Sequence, residues 1–282
     1  MRLAAVIVTY RPDLHEVEQN VATYAEDVDL IMVWDNSETP ADFHHLKKLY
    51  PAIILHQEGR NIGLAEAYNK AISTARDNGC SHLMTMDQDS TFENFKEYRR
   101  QLEAFTDPTV GIFTCPINND TDKPGYRDTA VCQSGSIYTM EMLHQIGGFR
   151  EDLFIGMVDA EMSLRALEKG YKIYSVANCN LIQQIGSGRT VKLFGHPVEI
   201  SDYGPLRHFY DSRNRILLWY EFPYDVTFKH KVHHLWSRTK LITKIALFEH
   251  NKMEKIKAIL LGTWYGLRNQ ARTYPKLIIH QK

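Results

Sequence analysis

Two carboxylates stand one residue apart in the segment Asp87-Gln88-Asp89, directly after the apolar run of residues 81–86. Side chains alternate along a strand, so both carboxylates point the same way if that run is a buried strand. Ligands of open α/β sheets bind in the crevice at the carboxyl ends of the strands. Two hard oxygen ligands at this edge suit Mg²⁺ or Mn²⁺, which a diphosphate substrate can share. The pair therefore predicts a divalent-cation site, with loop or helix-cap residues as the commoner alternative for such acids.

Strands and helices alternate in the part of the chain that must position this pair. Continuous apolar runs predict strands at residues 3–8, 30–34, 52–56, 81–86, 110–115 and 137–138. Helical spacing and capping residues predict helices at residues 13–25, 41–49, 63–78, 92–105, 141–146 and 159–169. This alternation predicts an α/β fold with a mostly parallel sheet that is covered by helices on both faces.

The remaining segments divide into loops and a helical C-terminal part. Residues 116–127 are rich in Asn, Asp, Pro and Gly, and residues 184–203 in Gly and Pro, so both are predicted to be loops. From residue 205 onward the apolar pattern is helical. We therefore expect a first domain at residues 1–204 and a helical C-terminal region at residues 205–282.

Composition narrows the class of protein. The 282 residues are 44% hydrophobic and 24% charged, which is typical of globular proteins, and the net charge of −1 argues against a general nucleic-acid binder. The four cysteines are widely spaced, which favours neither a zinc cluster nor a disulfide framework. The N-terminal apolar run is too short for a signal peptide, and no apolar run is long enough to cross a bilayer. A reducing cytoplasm is the expected location.

Positive charge is concentrated in residues 226–282, which hold twelve Lys and Arg but only two acidic residues, Glu249 and Glu254. Trp236 and Trp264 lie among these cations. A basic segment with aromatic side chains predicts peripheral contact with an anionic membrane surface or a phosphorylated lipid. The alternatives are a solvated helical face, or pairing of the lysines with the acidic remainder of the chain or with the second subunit of a homodimer.

Short motifs follow the predicted strands in a fixed order. They are Val8-Thr9-Tyr10-Arg11-Pro12, Trp34-Asp35-Asn36-Ser37, Asn61-Ile62-Gly63-Leu64-Ala65, Met86-Asp87-Gln88-Asp89-Ser90, Gly147-Gly148-Phe149, and Val158-Asp159-Ala160-Glu161 with Arg165. Over roughly residues 1–218 their order and spacing resemble family 2 glycosyltransferases. The pattern is most similar to the bacterial rhamnosyltransferase branch, in which Asp-Gln-Asp-Ser and a later pair of arginines followed by Asn, here Arg207 and Arg213-Asn214, recur.

The resemblance implies a GT-A fold, which is Rossmann-like, with a helical C-terminal appendage. It implies inverting transfer of a sugar, L-rhamnose from dTDP-L-rhamnose, to a carbohydrate acceptor. A lipid-linked precursor of a bacterial surface polysaccharide is the expected acceptor, at the inner face of the cell membrane. The alternatives are a catalytically silent GT-A module that binds nucleotide or glycan, and a nucleotidyltransferase that makes nucleotide sugars. The second alternative requires a basic, Gly-rich loop after the first strand, which residues 9–12 do not provide.

The family pattern assigns the donor nucleotide to residues at strand ends and before one helix. These residues are Thr9, Tyr10, Asp35, Arg60, Asn61, Gly63 and Asp87. Tyr10 would line the pocket of the nucleotide base, and its alternative role is core packing. Asp35 would accept a hydrogen bond from the imide of the base or from the ribose, and its alternative role is a helix or turn cap. Arg60 and Asn61 precede a helix N-terminus, where backbone N–H groups and the helix dipole attract phosphate. Alternatively, Asn61 is simply the cap of that helix and Gly63 a turn.

The family also implies roles around the metal. In similar enzymes the second aspartate of the motif, here Asp89, binds the metal, and the first, Asp87, contacts the ribose or metal-bound water. The cation neutralises charge on the departing nucleoside diphosphate. Such enzymes often carry a His where this chain has Gln183, a departure from the pattern. Glutamine offers a carbonyl oxygen, but it cannot become cationic.

Asp159 stands where the family places the base that takes a proton from the acceptor hydroxyl. A helix cap is the alternative role for this residue. Glu161 is expected to orient the base or to contact the diphosphate or the acceptor. Arg207 and Arg213 are expected to clamp a diphosphate, with salt bridges as the alternative. The family pattern also places Ser134-Gly135-Ser136 beside the donor sugar, although its chemistry alone indicates an ordinary turn.

The three histidines of one C-terminal segment are expected to be surface residues rather than metal ligands, because no acids accompany them. They are His230, His233 and His234.

Overall fold

The computed structural model describes residues 1–120, 124–183, 189–193, 196–223 and 225–269. Backbone contacts divide the chain into two compact units. Unit 1 comprises Met1–Phe154 and Val158–Gln183, and unit 2 comprises Ile155–Met157 and Gln184–Lys282. The contacts thus separate after Gln183, and the domain boundary placed after residue 204 stays a prediction.

Unit 1 is built on an eight-stranded sheet with a separate two-stranded ribbon. Its strands are β1 (Leu3–Thr9), β2 (Leu30–Asp35), β3 (Ile54–Gln57), β4 (His82–Asp87), β5 (Ser90–Glu93), β6 (Val110–Thr114), β7 (Gly125–Arg127), β8 (Ile137–Thr139), β9 (Lys172–Ser175) and β10 (Asn180–Gln183). The sheet order is β3-β2-β1-β4-β8-β6-β9-β7, and β5 pairs with β10. The four neighbouring strands β3, β2, β1 and β4 run parallel, and β6 runs parallel to β9. A mostly parallel sheet is therefore confirmed.

Helices cover this sheet. They are α1 (Leu14–Ala22), α2 (His44–Leu49), α3 (Leu64–Asp77), α4 (Phe95–Ala104), α5 (Met140–Ile146) and α6 (Val158–Glu168). The carboxylate of Asp13 starts α1 by accepting from the backbone N–H of His15 at 2.9 Å. Leu3, Ala5 and Ile7 of β1 share one buried cluster with Val17 of α1. Strand β1 is apolar throughout because it lies in the middle of the sheet, where both faces are buried.

The predicted helix at residues 92–105 is wrong at its beginning. Ser90–Glu93 is a strand, and Asn94, in the left-handed conformation with φ of 62°, separates it from α4. Buried Ser90 and Phe92 alternate with more exposed Thr91 and Glu93, which is the period of a strand. Four residues are too few for this alternation to outweigh the helical pattern that follows it.

Two predicted loops also contain strands. Gly125–Arg127 pairs antiparallel with β9 at the edge of the sheet. In unit 2, β11 (Arg189–Leu193) and β12 (His196–Ile200) form an antiparallel hairpin within the predicted loop at residues 184–203. The Gly and Pro content favoured a loop, but Pro197 is tolerated in a two-stranded ribbon because each strand there has a free edge. Residues 184–188 and 194–195 of that loop lie outside the described residues.

The described part of unit 2 contains three helices, which confirms the helical pattern after residue 205. They are α7 (Pro205–Glu221), α8 (Phe228–Phe248) and α9 (Lys252–Leu267). Helix α9 approaches α7 closely because its contact face carries glycine. A Cβ at Gly266 would lie 2.8 Å from the carbonyl oxygen of Arg213, nearer than packing permits. None of the helices in the described part of the chain combines the length and the apolar character that crossing a bilayer requires.

The end of α8 is joined to α9 by a buried ion pair. Lys255 is 4% exposed, and its ammonium donates to Glu249, itself 2% exposed, at 2.8 Å and also to Asp202. Burial opposes the charge of Lys255, but the two carboxylates outweigh burial and raise the pKa of the ammonium. One of the twelve cations of the basic tail is therefore part of the packing of unit 2 and not of its surface.

This ion pair predicts that two lysines of one helix differ strongly in their contribution to stability. Lys255→Met removes the charge but keeps much of the volume, so Glu249 is left buried and short of its counter-charge. We expect the free energy of unfolding of unit 2 to fall by about 3–5 kcal/mol. Lys252→Met, at an exposed position one turn earlier, should change it by less than about 0.5 kcal/mol. Urea unfolding followed by circular dichroism measures both, and equal effects would contradict a structural role for Lys255.

Candidate active site

The motif Asp87-Gln88-Asp89 is the turn between β4 and β5. Asp87 is half-buried at the carboxyl end of β4, and Asp89 is exposed. Parallel pairing of β1 with β4 sets Val8 opposite Asp87. The next residues of β1 therefore reach the same turn, and the backbone N–H of Tyr10 donates to Oε1 of Gln88 at 2.8 Å. The sheet thus brings the ends of two neighbouring strands together, as the sequence predicts.

An amide group donates to each oxygen of the Asp87 carboxylate. Nε2 of Gln133 lies 2.9 Å from Oδ1, and Nε2 of Gln183 lies 2.7 Å from Oδ2. The backbone of Asp87 is also fixed, because its N–H donates to Oγ of Ser134 at 3.1 Å and its carbonyl accepts from Asn20 at 2.7 Å. Asp87 is therefore held on both sides by neutral donors.

The ribbon of β5 and β10 explains how Gln183 reaches Asp87. Its antiparallel register sets Gln183 opposite Ser90, immediately after the motif. The backbone of Gln183 is held by Asn118, which accepts from its N–H at 3.0 Å and donates to its carbonyl at 2.9 Å. Sequence reasoning predicted neither β5 nor β10, so it named Gln183 only from the family pattern.

The charges of three carboxylates act on the thiol of Cys132. Burial, followed by the charges of Asp87 and Asp159 and more weakly that of Asp89, raises the pKa of Cys132 to about 12. Asp159 comes from α6, far from the β4 turn in sequence, and its charge acts on Cys132 and on Tyr68, as does that of Asp87. The thiol is neutral at physiological pH and is not a nucleophile there.

Asp159 is the second residue of α6 and is half-buried. Its Oδ1 accepts from the backbone N–H of Ala160 at 2.8 Å. Its charge, acting after burial, also raises the pKa of Tyr138 on β8. The carboxylate thus lies at the helix N-terminus, as a cap does, and its role as the base stays a prediction.

Glu161 is buried and paired, so in this structure it is a positioning residue. Arg165 donates to both of its oxygens, at 2.7 Å and 3.0 Å. The same guanidinium donates to the carbonyl of Gly148 at 2.7 Å and to that of Ile146. These bonds fasten α6 to the end of α5. Glu161 therefore supports the helix that carries Asp159, and a contact with diphosphate or acceptor stays a prediction.

Asp35 is saturated by the protein itself. Its Oδ1 accepts from the backbone N–H of Ser37 at 3.0 Å and from Oγ1 of Thr9 at 3.3 Å. Its Oδ2 accepts from the backbone N–H of Ala41 at 2.8 Å and from Gln57 at 3.1 Å. Burial opposes ionisation, but these hydrogen bonds outweigh it and keep the pKa of Asp35 below its usual value. The carboxylate organises the turn after β2, which corresponds to the alternative role named for it.

The other predicted nucleotide residues differ in exposure. Tyr10 is exposed, and its hydroxyl donates to Glu38 at 3.1 Å, so it lies at the surface rather than in the core. Arg60 is exposed. Asn61 accepts from the N–H of Gly63 at 2.9 Å, which is a local turn before α3. The first N–H of α3, that of Leu64, donates to the carbonyl of Phe154 at 2.8 Å. Phosphate binding at this terminus stays a prediction.

The two predicted arginine clamps lie in unit 2. Arg207 is exposed, and its guanidinium stacks 3.9 Å from the ring centre of Tyr203. Arg213 is buried in α7, where it donates to Asn214 at 2.9 Å and lies over the ring of Tyr210. Burial of Arg213 gives it a packing role within its helix. The prediction that His234 is a surface residue is wrong. Its side chain is buried, and burial lowers its pKa to about 4.

The residues at the Asp87 turn fit a hard divalent cation. Carboxylate and amide oxygens are the ligands that Mg²⁺ and Mn²⁺ prefer. Within the described residues, no three His, Cys, Asp and Glu side chains form a complete metal cage. A complete cage is not required, because Mg²⁺ is usually held by one or two carboxylates together with substrate phosphates. Asp89 is the carboxylate that the structure leaves exposed at this turn.

Sequence reasoning missed Gln133 and Gln88, which act on the turn without being charged. Gln133 directly precedes Ser134-Gly135-Ser136, the turn that the family pattern placed beside the donor sugar. Gly135 has φ of 76° and its N–H donates to the carbonyl of Thr85 at 2.8 Å, which fastens this turn to β4. The signal for Gln133 was therefore its place beside a glycine turn, but a single amide carries no spacing that predicts a partner.

Comparisons with known proteins identify the family and the fold. The family described as Glycosyl transferase family 2 matches residues 6–157. The chain is 27% identical to the dTDP-rhamnosyl transferase RfbF of Shigella flexneri, over 94% of this chain and 95% of that protein. The mannosyltransferase PcManGT from Pyrobaculum calidifontis, in complex with GDP-Man and Mn²⁺, has a TM-score of 0.59 at 15% identity, over 97% of this chain and 76% of that one. S. aureus TarS 1–349 has a TM-score of 0.56 at 14% identity, over 96% and 88%.

The mostly parallel sheet with an acidic turn after β4 has the GT-A architecture. The fold likeness to these two solved structures confirms the predicted GT-A architecture, with its helical C-terminal region. The family match covers more than half of the chain, from the middle of β1 to just before α6. The chain therefore belongs to glycosyl transferase family 2.

The position of Gln183 predicts a gain of metal affinity on replacement by histidine. Gln183→His puts an imidazole beside Asp87, and its unprotonated nitrogen can bind Mn²⁺, whereas the N–H donor that Gln183 now turns to Asp87 cannot. We expect affinity for Mn²⁺ in the presence of dTDP to rise roughly tenfold, as measured by calorimetry. The gain should disappear below about pH 6, because a protonated imidazole cannot bind metal. Gln183→Leu is the control. An equal change of Mn²⁺ affinity in both variants would contradict the placement of residue 183 beside the bound cation.

Proposed function

We propose that this protein transfers L-rhamnose from dTDP-L-rhamnose, with inversion, to a glycan acceptor of bacterial surface polysaccharide synthesis. The observation that carries the proposal is the acidic turn Asp87-Gln88-Asp89 at the end of β4, with the Asp87 carboxylate held by Gln133 and Gln183, in a chain of this family. The donor is supported by the relative named a dTDP-rhamnosyl transferase, because that likeness extends over nearly the full length of both proteins.

The base in this proposal is Asp159. Its carboxylate takes the proton of the acceptor hydroxyl as the oxygen of that hydroxyl attacks the anomeric carbon of the sugar. The bond from that carbon to the diphosphate breaks, and its electron pair leaves with the nucleoside diphosphate. Attack on the face opposite the leaving group inverts the anomeric centre. The pair Glu161–Arg165 holds α6 in place, so Asp159 keeps its direction during the reaction.

The leaving diphosphate requires a counter-charge. Asp89, and Asp87 directly or through water, would hold Mg²⁺ or Mn²⁺, which when bound neutralises negative charge on the departing group. The two amides keep Asp87 oriented toward the nucleotide. Neutral donors do not cancel its charge, so the turn still attracts a cation. Mn²⁺ in the similar mannosyltransferase complex supports this part of the proposal.

The acceptor in this proposal is a lipid-linked glycan, and the protein acts in the cytoplasm at the inner face of the membrane. Support for this part comes from the rhamnosyltransferase relative and from the basic helices of unit 2. Tyr10 and Asp35 remain the proposed neighbours of the thymine base of the donor nucleotide. In that case Asp35 acts by shaping the turn after β2, since its oxygens already accept four hydrogen bonds.

A thermal-shift screen of nucleotide sugars tests the donor. With Mn²⁺ present, dTDP-L-rhamnose should raise the melting temperature more than UDP-glucose or GDP-mannose, because a ligand that binds only the folded state stabilises it by mass action. A larger shift with UDP-glucose or GDP-mannose would replace the proposed donor. A shift without release of dTDP from any acceptor mixture tested would favour the silent binding module instead.

Asp159→Asn tests the base. Asparagine keeps the shape and can still accept from the N–H of Ala160, but it cannot take a proton. Turnover should fall by about 10²–10⁴-fold, whereas calorimetric affinity for dTDP and the melting temperature should stay close to wild type. Glu161→Gln is the comparison, because loss of a buried charge partner for Arg165 should lower the melting temperature. If Asp159→Asn loses stability in the same way, the residue is a structural cap.

A further inference from the structure

Unit 2 presents apolar side chains to solvent along one side of α8. Phe228, Val232, Leu235 and Trp236 are 81%, 48%, 58% and 58% exposed. Their spacing of four, seven and eight residues places them on one side of a helix, which we name the α8 face. Leu247, 54% exposed, lies at the edge of this side near the end of the helix, in line with Lys229. Single exposed apolar residues are ordinary, but a contiguous row of this kind marks an interaction surface.

The charges of α8 are all of one sign. The helix has 21 residues, of which five are Lys or Arg and none is Asp or Glu. At 100° per residue, Lys229 and Lys240 flank the α8 face on one side and Lys231 on the other. Lys240 lies 5.2 Å from the ring centre of Trp236, so cation and aromatic ring are adjacent at the edge of the face. Arg238 instead turns inward and donates to Asp211 at 2.6 Å.

We propose that the α8 face docks this protein on an anionic lipid bilayer. The apolar side chains would enter the boundary between headgroups and acyl chains, and the flanking lysines would contact anionic headgroups. Trp236 is suited to this depth because its ring is amphipathic. The inference rests on the membrane location in the proposed function and deepens it by naming the surface of unit 2 that meets the lipid, and vesicle binding tests that surface independently of donor and acceptor.

The charges also decide between a bilayer and a second copy of the chain. A two-fold dimer through this face would set α8 against α8, because the same patch is used on both subunits. Lysines would then meet lysines, and the helix has no carboxylate to separate them. Like charges brought together in this way disfavour association. An anionic bilayer supplies the opposite charge over the whole length of the helix.

The α8 face is more specific than the basic tail identified from sequence. Lys255 is buried and paired, so charge counting alone assigned it wrongly to the surface. Helix α9 adds Met253, Leu260 and Trp264, which are 80%, 59% and 52% exposed, to the apolar surface of unit 2. We place the principal contact on α8 because its apolar row is flanked by cations without any acid, whereas α9 carries Glu254 beside Met253.

Co-sedimentation of the full chain with vesicles tests the proposal. Binding to phosphatidylcholine vesicles that contain phosphatidylglycerol should exceed binding to phosphatidylcholine alone by about tenfold, and high salt should weaken it. The double variant Leu235→Glu with Trp236→Glu should lose at least about tenfold in binding. The matched control is Leu49→Glu with Tyr126→Glu, which adds the same charge at residues of unit 1 that are 52% and 57% exposed. The control should lose about twofold or less.

A second variant keeps the test valid if the apolar substitutions disturb folding. Lys229→Glu with Lys240→Glu leaves the apolar row intact and should abolish the preference for anionic vesicles, with an unchanged melting temperature. Absence of binding by the wild type, equal binding to neutral vesicles, or equal losses in the α8 and control variants would overturn the proposal. So would a wild-type dimer, seen by light scattering, that only the Leu235 and Trp236 substitutions dissociate.

Discussion

The carboxylate of Asp87 is fixed by an amide on each oxygen, and the rest of the site depends on that constraint. The two amides come from segments that lie far apart in the chain, at Gln133 and Gln183. They meet only because β5 leaves the β4 turn to pair with β10, and because Ser134 binds the backbone of the turn. The carboxylate is thus ordered during folding, so less conformational entropy is lost when a ligand binds.

The two supported acids of the site are held by different chemistry. Asp87 has neutral amide partners, which orient the carboxylate without cancelling its charge. Glu161 has the guanidinium of Arg165, which neutralises it in a buried position. The first arrangement preserves negative potential in the crevice, and the second removes it from the interior. The net field around Cys132 therefore comes from the carboxylates at the turn and from Asp159.

Much of this arrangement was predictable from sequence, and the failures have physical causes. The strands that end in Thr9, Asp35 and Asp87 are continuous apolar runs, so their order and their shared edge follow from burial on both faces. The ribbon of β5 and β10 has only four residues in each strand, and its pairing is non-local. Whether a charge lies on the surface is equally invisible to sequence. Lys252 and Lys255 lie on one helix, and only the second is buried, because Glu249 and Asp202 surround it.

The thiol of Cys132 is linked to the acidic turn. Its thiol is kept protonated by burial and then by the negative charges of Asp87, Asp159 and Asp89. A cation held beside those carboxylates would oppose their field and make the thiolate easier to form. The thiol also donates to Oε1 of Gln183 at 3.6 Å, and the amide of Gln183 donates in turn to Asp87. One glutamine therefore couples the sulfur to the acidic turn, so a shift of either partner changes the orientation of that amide.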